Sequence, residues 1–242
     1  MSTDSKSIPG KLYLIPSSLG GDDIKAIWPA GHVALVNQLD EFIVENLRTA
    51  RRFLRSAGYT RSFDEVQFHL LNKHTRPEEL NGFLKNVLQG KDVGLLSEAG
   101  SPCIADPGQV IVAMAHRKNI RVIPLVGPSS ILLALIASGF NGQQFAFHGY
   151  LPIDKAERSR KLKQLENAAW QHEQTQIFME TPFRNNQLMQ DLTGSLRPDT
   201  MLCVACDLTT QTEFIKSQTT AAWKKEMPDL HKRASIFLLF RA

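Results

Sequence analysis

Short apolar runs rich in β-branched and aromatic residues alternate with stretches of helical periodicity along almost the whole chain. In the first half the runs are KLYLIP, HVALV, VQFHLL, DVGLLS and IRVIPLV, each the length of a strand. Residues 40–57 place Ile43, Leu47, Ala50, Leu54 and Ala57 on one stripe ahead of Gly58, which predicts a helix. Thr75 and Glu78 read as a capping box for the next helix, with Leu80, Phe83, Leu84, Val87 and Leu88 at helical spacing and Gly90 at its exit.

After residue 125 a second series begins. It comprises a helix through ILLALIASG, the run QFAFHGY, a helix from Asp154, the strand TQIFME, a helix after Pro182, then MLCVAC, TEFIKS and ASIFLLF. Alternating strands and helices predict an α/β fold with largely parallel sheets, and the closely spaced strands near the end predict a mixed one. No Gly/Ser-rich or Pro-rich linker interrupts the chain, so two α/β domains, 1–125 and 126–242, are expected to join through a short connection near VGP at 126–128.

The 242 residues are 43% hydrophobic and 21% charged, enough apolar content for one large or two modest cores. The longest apolar stretch, ILLALIA, is too short to span a bilayer, and the opening MSTDSKSIPGK lacks the apolar core of a signal peptide; a cytoplasmic protein without a membrane partner is expected. Three cysteines, Cys103, Cys203 and Cys206, argue against a disulfide framework. The C-x-x-C of Cys203 and Cys206 lies in a predicted buried strand, where residues three apart point to opposite faces, so it reads as packing rather than as a redox or metal motif. A net charge of +4 is compatible with a nucleic-acid partner without requiring one.

The most unusual segment is LLSEAGSPCIADPG at 95–108, where a predicted buried strand enters a loop with two glycines and two prolines. Ligands of open α/β sheets collect at the carboxyl ends of strands, and glycine lets backbone approach a ligand. PLVGPSS at 124–130 is a second such break, with Ser129 or Ser130 serving either as helix N-cap or as ligand contact. The dinucleotide, P-loop, nucleophile-elbow and metalloprotease motifs are all absent, as is a spaced Cys/His metal cluster.

In this order the segments resemble the tetrapyrrole-methylase superfamily of S-adenosylmethionine-dependent enzymes, and within it the ribosomal RNA small-subunit methyltransferase I branch. KLYLIPSSLGG resembles that branch's opening strand and P-T-P-I-G-N turn, VENLRTARRFLRSAG its E-D-T-R helix, and LLSEAGSPCIADPG its S-D-A-G-T-P-x-I-x-D-P-G loop. RVIPLVGPSSILLALIASGF, FHGYLP and IFMETPFR follow in register. The resemblance implies S-adenosyl-L-methionine as cofactor, held in a cleft between two α/β domains largely by backbone groups. Carried over position by position, it implies cofactor contacts at Pro16, Ala99, Gly100, Ser101, Ile104, Ser129, Ser130, Met179, Glu180 and Ala205, with no metal. It also implies a homodimer. Methyl transfer from a sulfonium needs alignment of the acceptor and removal of a proton, not a covalent nucleophile.

The acceptor side departs from the branch: the turn is S-L-G-G, E-D-T-R has become Glu45-Asn46-Leu47-Arg48, and A-R-E-L-T appears as Ala205-Cys206-Asp207-Leu208-Thr209. Glu45, Arg48 and Arg184 are the candidate catalytic positions, Arg184 because it follows the strand TQIFME together with Glu180 and Thr181. Thr181 and Pro182 are equally readable as an N-cap and N1 pair. On the predicted 40–57 helix, Arg48, Arg52 and Arg55 share a side suited to RNA phosphates, but Glu41 and Glu45 are spaced there to pair with Arg48 and Arg52. His69, His74 and His148 are further proton acceptors, more in keeping with structural roles. Three functions are compatible: methylation of RNA, at a ribose 2′-hydroxyl of small-subunit ribosomal RNA; methylation of a tetrapyrrole ring carbon; or a catalytically silent, cofactor-binding RNA-associated module.

Overall fold

A computed structural model describes residues 8–21 and 23–242. The chain divides into two units, Met1–Pro128 and Ser129–Ala242, the break falling at the end of the VGP segment.

In the first unit β1 (Lys11–Ile15) lies at the inside of a five-stranded sheet with β2 (Glu41–Val44), β3 (Gln67–Leu70), β4 (Val93–Leu96) and β5 (Arg121–Pro124), in the order β3-β2-β4-β1-β5. All four pairings are parallel. A parallel sheet covered on both faces requires strands that are apolar throughout, and β2 and β4 are buried at every position. Tyr13, Ile15, Phe42 and Val44 pack on one face with Ala50 and Leu54 of α3 (Leu47–Ser56), while Leu12, Ile43 and Leu95 pack on the other with Ile111 and Met114 of α5 (Gln109–Arg117).

The second unit holds a mixed sheet ordered β6-β7-β10-β8-β9, from β6 (Phe145–Tyr150), β7 (Thr175–Met179), β8 (Met201–Cys206), β9 (Phe214–Thr219) and β10 (Ser235–Phe240). Only β6 and β7 run parallel; β10 runs antiparallel to both β7 and β8, and β8 to β9, which follows it by a short return. Its core joins Leu162 and Leu165 of α7 (Lys155–His172), Leu188 and Leu192 of α8 (Asn185–Ser195) and Trp223 of α9 (Thr220–Lys225) to Phe178 and Phe237. Leu202, Val204 and Cys206 face this core, so Cys203 points to the opposite face of β8 and the two thiols cannot form a redox pair. Burial pushes the Cys203 thiol up to about 11, leaving it protonated.

Three sequence expectations are corrected. HVALV is not a strand but α2 (Gly31–Val36), which follows the single-turn α1 (Ile24–Ile27) and buries only Val36 along its length; the slots beside β1 are taken by β4 and β5. Residues 40–57 are not one helix: Glu41–Val44 is the inner strand β2, and α3 begins only after Asn46, whose side chain caps it by accepting the N–H groups of Arg48 (2.9 Å) and Thr49 (3.2 Å). Thr75 caps no helix, because its hydroxyl is spent on Leu70 O and the Asn72 N–H, and Arg76 occupies the N-cap of α4 (Pro77–Phe83). Leu84 and Val87 lie beyond that helix, in a turn and a short 3₁₀ segment.

Candidate functional site

The carboxyl ends of β1 and β4 are locked together by side chains that hold a loop in an uncommon shape. Ser17 and Gly100 form an isolated antiparallel bridge, Ser17 N–H to Gly100 O at 2.9 Å and Gly100 N–H to Ser17 O at 3.2 Å. The buried Ser97 hydroxyl donates to Gly100 O, and the Ser17 hydroxyl donates to Ser97 O. Gly100 takes φ 69°, and beyond it Cys103 and Ala105 take φ 69° and 60°, left-handed values that side chains rarely adopt. Such a backbone persists only where something fixes it: the Asp106 carboxylate accepts the N–H groups of Cys103 at 2.8 Å and Gly108 at 2.7 Å. Ala99 is exposed and Ile104 is 45% exposed, so backbone and an apolar side chain face outward from a rigid loop.

Pro16 sits directly against Gly127. A Cβ at Gly127 would lie 2.2 Å from Pro16 Cγ, so only glycine admits the approach. Trp28 Nε1 donates to Pro16 O at 2.9 Å, and the Ser101 hydroxyl donates to Pro128 O at 3.1 Å. Pro16, Gly100 and Ser101 are thus brought into one cluster with the VGP segment.

Glu45 follows β2 at the same end of the sheet. Burial raises its pKa, and the carboxylates of Asp106 and Glu98 raise it further, against a lowering by the Glu98 backbone N–H. A void of about 10 Å³, the size of one water, is lined by Glu45, Asp106, Gly108, Val44 and Leu96. Glu98 is oriented by the Thr49 hydroxyl at 2.6 Å.

Arg48 and Arg52 are exposed on α3, with no carboxylate within salt-bridge distance among the described residues. The expected pairing with Glu41 and Glu45 does not form, because neither acid is on the helix; Glu41 is wholly buried in β2 and binds His69 at 2.7 Å and Asn86 at 2.8 Å. Arg51 instead lies over Phe63 and Phe68, and Arg55 over Phe63 at 4.0 Å. The ridge therefore splits into two free and two packed guanidinium groups.

In the second unit Ser129 caps α6 (Ser130–Ser138) by accepting the Leu132 N–H, and Ser130 opens that helix, part-buried. Met179 ends β7. Glu180, 5% exposed, accepts Arg184 Nη2 and its neighbour's Thr181 N–H, each at 2.6 Å, so Glu180 and Arg184 are joined rather than independent. Ala205 is fully buried inside β8, paired with Ile215 and Ile236. His148 is tied to Gln176 at 2.7 Å, its pKa lowered chiefly by burial, and His69 serves Glu41; both are structural. Sequence reading overlooked Ser17, Ser97, Trp28 and Asp106. The Asp-Pro-Gly run was the available signal for the last, since Asp side chains commonly accept nearby backbone N–H groups in turns. Among the described residues no group of His, Cys, Asp and Glu could hold a metal ion.

Residues 30–222 match the family described as Tetrapyrrole (Corrin/Porphyrin) Methylases. Curated relatives include the Ribosomal RNA small subunit methyltransferase I of Vibrio cholerae, 28% identical over 98% of this chain and 80% of the relative. That of Leptospira borgpetersenii is 34% identical over 86% and 79%. Among solved structures, the methyltransferase CobJ superposes with TM-score 0.61 at 17% identity, covering 96% of this chain and 95% of its own. Uroporphyrin-III C-methyl transferase from Thermus thermophilus, complexed with S-adenyl homocysteine, gives 0.57 at 16%, covering 96% and 97%. A chain with this fold, this loop and a family match over most of its length belongs to the tetrapyrrole methylases, and is an S-adenosylmethionine-dependent methyltransferase.

Proposed function

We propose that the enzyme methylates RNA, at a ribose 2′-hydroxyl of small-subunit ribosomal RNA. The observation that carries this reading is the placement, just beyond β2, of Glu45, whose proton affinity burial raises, three residues before the exposed Arg48. The relatives named as ribosomal RNA methyltransferases span most of this chain and support the same acceptor class.

The residues present fit the cofactor. The 97–108 loop offers outward backbone and Ile104, its two carboxylates being engaged, Glu98 by the Thr49 hydroxyl and Asp106 by the Cys103 and Gly108 N–H groups, and the absence of a Cβ at Gly127 admits Pro16. In this reading Pro16, Ala99, Gly100, Ser101, Ile104, Ser129, Ser130, Met179, Glu180 and Ala205 contact S-adenosylmethionine. When bound, the cofactor supplies an activated methyl group. Glu45 accepts the proton of the acceptor hydroxyl, for which a pKa above the ordinary carboxylate value is suited. Arg48 and Arg52 bind RNA phosphates and orient the acceptor, and Arg184, held by Glu180, is a further contact to the RNA. The chain comprises two domains, 1–125 and 126–242, and works as a cytoplasmic homodimer.

The test is transfer of radiolabelled methyl to small ribosomal subunits lacking the modification, alongside a porphyrin precursor. Labelled RNA is the expected product. Label in the porphyrin alone replaces the acceptor, and saturable cofactor binding without any transfer marks a silent module.

A further inference from the structure

Phe183, four residues beyond the end of β7, stands 69% exposed, an uncommon setting for a large aromatic side chain that no core contact among the described residues explains. It is not loosely held. Its neighbour Pro182 accepts the Lys232 N–H at 3.0 Å, and the 229–233 turn is tied back to the start of α8 by three bonds. Asn186 Oδ1 accepts the Leu230 N–H at 2.7 Å, Asn186 Nδ2 donates to Asp229 Oδ1 at 2.8 Å, and Asn185 Nδ2 donates to Arg233 O at 2.6 Å.

That turn sets the exposed His231 ring edge-on to Phe183, centroids 5.9 Å apart at 73°. One ring therefore supports the other while leaving aromatic surface open to solvent. The neighbouring cations divide by use. Arg184 is bound to Glu180 at 2.6 Å and Arg233 to Asp207 at 2.7 Å, but Lys232, exposed and held at φ 60°, has no acidic partner among the described residues.

A rigid aromatic face beside a free cation is the combination that takes a stacked base together with its phosphate. An apolar protein partner would call for a broader apolar surface without the charge. We propose that Phe183, backed by His231 and flanked by Lys232, is a stacking platform for one base of a single-stranded RNA segment. The proposal rests on the RNA reading above and adds the part of the substrate that the second unit recognises.

The test uses the full chain and a single-stranded RNA carrying 2-aminopurine, whose fluorescence is quenched on stacking, with binding followed across a salt series. Phe183→Ala is expected to weaken binding about tenfold and abolish the quench while leaving the salt dependence and S-adenosylhomocysteine affinity unchanged. Phe183→Trp restores both binding and quench. Lys232→Ala keeps the quench and reduces the salt slope by about one. If Phe183→Ala binds and quenches as the parent does, the platform is wrong and RNA methylation stands. If the parent protein binds S-adenosylhomocysteine but neither binds this RNA nor labels ribosomal subunits, the RNA reading falls and the platform with it. Because Phe183 is exposed, its loss leaves the fold intact, which a melting curve verifies.

Discussion

The carboxylate of Asp106 accepts the N–H of Cys103 at 2.8 Å and so closes the turn in which Cys103 and Ala105 both take left-handed backbone. This half of the loop is thus held by a side chain that lies within the loop itself, while Ser97 and Ser17 fasten the other half at Gly100. Replacing Asp106 by Ala leaves the N–H groups of Cys103 and Gly108 without their acceptor, a cost of about 1–3 kcal/mol for each group that stays buried. Asp106→Ala is expected to weaken S-adenosylhomocysteine binding in calorimetry by more than it lowers the melting temperature, since the loop relaxes before the sheet does. Equal cofactor affinity in variant and parent would remove the loop from the binding site.

Gly127→Ala tests the approach of the first turn to the VGP segment. The added methyl would meet Pro16 Cγ at 2.2 Å and Cβ at 2.6 Å, against a ring that cannot swing aside. Urea denaturation should show a loss of about 1–3 kcal/mol, the usual cost of overpacking. Gly142→Ala, with nothing within 4 Å of the new methyl, serves as the control.

Glu45 gives a pH dependence with a definite sign. Its folded pKa lies above the ordinary value, first through burial and then through Asp106 and Glu98, so ionised Glu45 destabilises the fold relative to the unfolded chain. That penalty is fully present above the folded pKa and is relieved as pH falls through it. Methyl transfer should run the opposite way, declining as Glu45 takes up its proton. Glu45→Gln is expected to abolish the acidic limb of the rate profile and most of the rate, while raising or preserving the melting temperature at neutral pH. A variant that keeps the parent's rate and acidic limb would exclude Glu45 as the base.

Arg48 and Arg52 are separable from Arg51 and Arg55 by experiment. Reversing the charge at Arg48 and Arg52 should weaken RNA binding and flatten its salt dependence by about two, with little change in stability. Arg51→Ala should instead lower the melting temperature, because that guanidinium lies over Phe63 at 5.5 Å and Phe68 at 5.2 Å. Filter binding over a salt series, paired with thermal melts, distinguishes the two outcomes.

The boundary between β2 and α3 shows where sequence periodicity misleads. Ile43 and Leu47 are four apart and fit one helical stripe, yet Ile43 belongs to a strand buried on both faces and Leu47 to the helix that follows. Glu41 reinforced the helical reading, because an acid at that spacing looks like a solvated helix face; its pairing with His69, 28 residues away, cannot be seen locally. Asn46 was the one local sign of a helix start. HVALV failed for the converse reason: a short apolar run fits strand or helix equally, and only the filling of both places beside β1 decides it. The 95–108 loop was legible because glycine and proline act through local backbone preferences. Its fastening to Ser17 was not, since that contact joins residues 83 positions apart, from 17 to 100.

That fastening also carries a consequence for how the protein is made. β1 precedes both of its sheet neighbours, β4 and β5, in the chain, so its pairing draws on residues 93–124. The Ser17–Gly100 bridge likewise joins the end of β1 to the loop after β4. Closure over such a separation is slow compared with helix formation. The turn after β1 therefore depends for its shape on residues that follow β4, and a chain ending before Gly100 would leave Ser17 without its backbone partners.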